Sequence, residues 1–175
     1  MQQATAGELF PGPGATVEDP QEMLHAYLDW YRDTLRRKTF GLTEAALRAP
    51  VPPLGWSPLG LVRHLGWVER RWMRWGFAAQ DVQPYPPQGE AAEWEVPDHV
   101  PADRVWADYE HEVALSRSLY AGTDLRTRGR TGGRFEPGTE PPTLGRILFH
   151  LLQEYARHVG HLDIARELID GTTGE

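Results

Sequence analysis

Residues 143–171 read TLGRILFHLLQEYARHVGHLDIARELIDG, and this stretch decides the architecture. Leu144, Leu148, Leu151, Tyr155, Leu162, Ala165 and Ile169 form an apolar row, with His158 in the one remaining place. The steps alternate four and three, the spacing of a single face of an α-helix. Thr143 is a good N-cap, and Gly171 supplies the stop. A helix this long with one apolar face must bury that face against other helices.

Three further helices supply the partners. Leu24, Leu28, Tyr31 and Leu35 make a stripe from Pro20 until Gly41 ends it. Ser57 followed by Pro58 is the clearest start signal, because proline loses nothing at the first helical position. From there Leu61, His64 or Leu65, Val68, Trp72 and Trp75 mark one face, with Gly76 as the expected end. Val105, Tyr109, Val113, Ser116 and Tyr120 define the third helix, over about 102–121. A short helical piece capped by Thr43 is expected at 43–48, and no strand is evident. The pattern predicts an all-α four-helix bundle over residues 20–175, after a loose leader at 1–19.

The loops set the topology. Residues 77–100 carry Pro84, Pro86, Pro87 and Pro97 without any period. A connection of about 24 residues is far longer than the usual bundle loop of about 2–8. Helices two and three therefore run parallel across a crossover, which makes helices two and four antiparallel and the bundle up-down-down-up.

Composition narrows the function. Of 175 residues, 18 are basic and 25 acidic, giving a net charge of -7, which argues against general nucleic-acid binding. With no cysteine, thiolate catalysis and Cys-based metal sites are excluded, so metal ligands must be histidines and carboxylates. No apolar run approaches the ~20 residues of a membrane helix, and no signal pattern opens the chain. A cytoplasmic protein without membrane partners is expected, and a homodimer is left open.

His158 interrupts the apolar row, with Glu154 one turn before it and His161 nearly one turn after. His64 lies within the stripe of helix two. Imidazoles and a carboxylate converging from two facing helices suit a divalent metal. They equally suit hydrogen-bonded core residues, and spacing alone does not separate the two. His150 reads as a supporting residue, His25 as a hydrogen-bonding seam residue, and His99 and His111 as loop and surface positions. Asp29 and Glu69 are either partners of ligand imidazoles or, more simply, solvated faces. Trp67, Trp72 and Trp75 read as core or as a pocket wall. Arg126, Arg128, Arg130 and Arg134 read as solubilising or anion-binding.

Two segments carry a family resemblance. Residues 55–65, GWSPLGLVRHL, resemble the second-helix signature of the DinB-like superfamily in its DUF664 branch. Residues 150–163, HLLQEYARHVGHLD, resemble the fourth-helix signature of the same branch. The resemblance implies a metal triad of His64, Glu154 and His158, with His161 a neighbour. The His–Glu–His pattern is similar to that of the metal-binding domain of the mycothiol-dependent maleylpyruvate isomerases. The implied cofactor is a divalent ion, zinc or nickel, with a low-molecular-weight thiol as co-substrate and a small-molecule substrate. The implied reaction is a mycothiol-type S-transfer or isomerisation, with catalytic residues unassigned. The alternative is a non-catalytic metal-binding or stress-response protein with a structural metal.

Overall fold

A computed structural model describes residues 12–14 and 16–173, so most of the expected leader lies outside the described residues. Helix α1 spans Pro20–Thr39, the short α2 Glu44–Arg48, and α3 Pro58–Glu69. The chain then continues as a π-helix over Arg70–Phe77 and makes one 3₁₀ turn at Glu90–Trp94. Helix α4 is Ala102–Tyr120 and α5 is Leu144–Asp170. Among the described residues the only extended pairing is an isolated bridge between Arg128 and Thr143.

The ends are those the sequence chemistry requires. Asp19 accepts from the Glu22 amide at 2.8 Å, Ser57 from Gly60 at 3.0 Å and Thr143 from Arg146 at 3.3 Å. Each such cap satisfies an otherwise orphaned N–H, typically contributing ~1 kcal/mol. Gly171 ends α5 in the left-handed conformation at φ 76°, which a side chain would disfavour.

Side-chain pairs fix the directions. Asp29 meets Arg117 and Arg36 meets Glu110, so α1 and α4 run antiparallel. A Cβ on Gly66 would stand 3.4 Å from the Tyr109 Cα, and Arg70 bonds Glu112 at 2.8 Å, so α3 and α4 run parallel. Trp72 lies against His150, while His64 reaches His158 eight residues later, so α3 and α5 are antiparallel. The bundle is up-down-down-up, with residues 78–101 as the crossover. The expected topology holds.

Leu28, Leu35, Leu61, Leu65, Val68, Met73, Leu148, Leu151 and Leu162 form the centre of the core. The second half of α3 departs from expectation. Its core row is Leu61, Leu65, Val68, Met73 and Phe77, with steps of four, three, five and four. The five-residue step belongs to the π-helix, whose i→i+5 turns rotate the face. Trp72 and Trp75, expected on the stripe, are consequently only half-buried, and the helical rod continues past Gly76 to Phe77.

The last residue of α3, just before the π-helix, places a charge in the centre. Glu69 is fully buried, and its Oε1 accepts from Arg32 Nη2 at 2.7 Å and Nε at 3.0 Å. The Tyr155 hydroxyl donates to the same oxygen at 2.8 Å and shares a 3.0 Å hydrogen bond with Tyr109. Burial pushes both phenols well above their ordinary pKa, so both remain protonated. Glu69 is thus neither a solvated face nor an imidazole partner. Asp29 lies at the end of the same network, bonded to Arg32 and Arg117.

The crossover strap presses on α3 at Gly60. A Cβ there would lie 2.3 Å from the Trp94 carbonyl oxygen, so only glycine admits the strap. Gly60→Ala should displace the Glu90–Trp94 turn and cost about 1–3 kcal/mol, the usual range for overpacking. Denaturant titration checks the stability loss. An unchanged midpoint would mean that the strap yields freely.

Candidate metal centre

Position, not propensity, builds this site. Ser57 and Pro58 start α3 so that His64 comes round to the α5 side, and Thr143 sets the register of α5. Antiparallel packing then brings both to one level. His64 Nε2 stands 3.2 Å from His158 Nε2, and Glu154 Oε2 is 3.4 Å from the same His158 nitrogen. His64, Glu154 and His158 each offer a ligand atom, and these atoms all lie within 4.8 Å of one another. Both imidazoles are buried, while the Glu154 side chain retains 20% exposure and forms the accessible edge.

The residues that support the cluster come from both expected and unexpected places. His150 Nε2 donates to Glu154 Oε1 at 3.0 Å, in the supporting role assigned to it. His150 packs against Trp72 at a tilt of 49°, and burial lowers its pKa against the opposing pull of Glu154. The Glu154 carboxyl is held below its usual range chiefly by His158, with burial opposing. Its ion-pair partners are His150 and His158, and neither Arg146 nor Arg157 on the same helix pairs with it.

The strap supplies what the sequence did not reveal. His64 Nδ1 donates to Glu93 Oε1 at 2.8 Å, and Arg71 donates to Glu93 Oε2 at 2.8 Å. Trp94 stacks on the His64 ring at 4.0 Å between centroids and 15° between planes. A donor bond at Nδ1 leaves the lone pair of neutral His64 on Nε2, directed at the cluster. Metal-ligating histidines almost always have such a partner on the far nitrogen. This donor set, two imidazole Nε2 atoms and a carboxylate with an anchored ring, fits a divalent ion.

Glu93 also carries a pH signature. Burial would raise its pKa, but the hydrogen bonds from His64 and Arg71 outweigh that and hold it below the ordinary 4.5. A carboxylate shifted downward adds its full stability above pH 4.5 and loses it as the pH falls through the lower folded-state value. In the metal-free protein, Glu93→Gln should therefore flatten the acid limb of the stability curve. An acid limb identical to the parent's would show that Glu93 does not contribute.

The other histidines separate from the cluster. His161 is exposed, its ring 5.5 Å from that of His158, and it is not among the converging atoms. His25 packs on Tyr120 at 4.6 Å, and its buried Nε2 has no hydrogen-bond partner among the described residues. His99 and His111 are exposed, as their loop and surface readings required.

A family described as Mycothiol-S-transferase matches residues 23–171, from the first turn of α1 to the glycine that ends α5. The chain belongs to that family. The match contains all three converging residues and the strap that braces them, so the DinB-like resemblance extends over the whole bundle. No curated protein matches the chain. Among the described residues, no helix is long and apolar enough to cross a membrane.

Proposed function

We propose that this member of the mycothiol-S-transferase family binds a divalent metal, zinc or nickel, through His64, Glu154 and His158. The bound metal serves transfer of a small thiol, of the mycothiol type, to a small electrophilic substrate. The observation that carries the reading is the meeting of three ligand atoms within 4.8 Å from antiparallel helices, with the His64 ring already anchored by Glu93.

A divalent ion there would supply Lewis acidity, lowering the pKa of a thiol at an open position so that thiolate is available near neutral pH. The protein has no cysteine, so the reacting sulfur must come from the small thiol. In the transfer, that sulfur forms a bond to an electrophilic carbon as the bond to a halide or epoxide oxygen breaks. The halide departs with the electron pair and the thiol proton passes to solvent, or the epoxide oxygen keeps the pair and takes up a proton. Glu93 and Arg71 hold His64 in its ligating tautomer, and Trp94 covers its ring from water. His150 keeps Glu154 turned toward His158. The converging group comprises three residues, a number that suits an open catalytic site better than a closed four-ligand structural one.

Two experiments test this. Mycothiol and a panel of alkyl halides and epoxides are incubated with the metal-loaded protein, and conjugates are measured by mass spectrometry. Conjugate formation that disappears on chelation and returns with added metal is expected. Conjugation that survives chelation, or none with any substrate, would overturn the transferase reading. In the second, Glu93→Ala should weaken metal binding by about 10–100-fold, the usual cost of losing a ligand's supporting partner. An unchanged affinity would remove the strap from the site.

A further inference from the structure

Part of a turn round α3 from the cluster, a cavity of about 450 Å³ opens along the α3–α4 groove. None of the three converging residues lines it. That volume lies in the range of small-molecule sites. Trp67, Val100, Val105 and Tyr109 give it apolar walls.

Its charges are unevenly satisfied. Arg70 donates to Glu112 at 2.8 Å, and its guanidinium also lies over Trp67 at 5.1 Å. Arg104 pairs with Asp108 at 2.9 Å. Arg63 lines the same cavity without a hydrogen bond or ion pair among the described residues, and its Nε is buried with no acceptor. Beside His111, the walls hold three guanidinium groups against two carboxylates, one of which, Glu112, is also bonded by Arg74, so positive charge is in excess. Arg63 is half-buried with the charges of Asp108 and Glu95 nearby, its Nε is out of water without an acceptor, and its fork matches a carboxylate.

We propose that this cavity is a binding site for a small organic monocarboxylate, with the carboxylate on Arg63 and a flat apolar body between Trp67 and Tyr109. A single negative charge balances the walls, whereas Asp108 and Glu112 would repel a dianion such as a phosphate monoester. The site is independent of the metal centre, because its residues face α4 and those of the cluster face α5.

The test uses phenylacetate and its uncharged isostere phenylacetamide, titrated into the whole protein at pH 8 with calorimetry and saturation-transfer NMR. At that pH no histidine with an ordinary pKa adds a proton to the balance. Phenylacetate should bind saturably, with the amide at least about tenfold weaker, as expected for loss of a charge-assisted pair. Arg63→Met, which keeps an apolar stem, should weaken phenylacetate by a similar factor, and Asp108→Asn should tighten it. His158→Ala should leave binding unchanged. Equal binding of acid and amide, full binding by Arg63→Met, or no saturable binding would overturn the proposal. Loss of binding in His158→Ala would do the same by moving the anion to the metal centre.

Discussion

His158→Ala should empty the metal site while leaving the bundle helical. His158 Nε2 lies 3.2 Å from His64 Nε2 and 3.4 Å from Glu154 Oε2, so its loss removes a donor that both others approach. With three proposed ligands in all, removing one should reduce bound metal to under about a tenth of the parent's. The apolar row of α5 retains Leu144, Leu148, Leu151, Tyr155, Leu162 and Ala165, all buried, so the seam survives. His161→Ala should be mild, because His161 is exposed and outside the group. Metal content and far-ultraviolet circular dichroism are measured on the same samples. Full metal in His158→Ala, or an empty site in His161→Ala, would show that the register of α5 is misassigned.

Arg32→Met should be the most destabilising single change in the bundle. It removes both guanidinium donors to Glu69, leaving a fully buried carboxylate with only the Tyr155 hydroxyl. Breaking one side of a buried pair costs about 3–5 kcal/mol, because the stranded charge keeps its desolvation penalty. The double variant Arg32→Met with Glu69→Leu should recover most of that loss, since an apolar pair of similar volume carries no such penalty. Urea midpoints of the two variants decide it. A double variant no better than the single one would mean that packing, and not the stranded charge, sets the cost.

The sequence was most informative where one signal sufficed. Thr143 and Gly171 bound α5, and the alternation of four and three between them left only His158 to explain. His64 and His158 could be paired because a long, proline-rich crossover implied parallel α3 and α4, and hence antiparallel α3 and α5. Two features escaped for a shared reason. Glu93 sits in a five-residue 3₁₀ turn, too short to show a period, and its partners lie 22 and 29 residues away. Glu69 borders an apolar stripe, which at ordinary helical pitch reads as an edge. Its inward partner is Arg32 in another helix, which local propensity does not register. A usable signal did exist at Gly60. A glycine within a strongly signalled helix points to close approach of another backbone, here that of the strap.

The account rests on a metal held by His64, Glu154 and His158 that accepts a small thiol, and cobalt substitution measures both at once. The Co(II)-loaded protein is titrated with mycothiol, and its absorption is followed from the near ultraviolet into the visible. A saturable thiolate-to-cobalt charge-transfer band is predicted, absent in His158→Ala and abolished by chelation. A spectrum unchanged by mycothiol, or a band that persists in His158→Ala, would contradict the account.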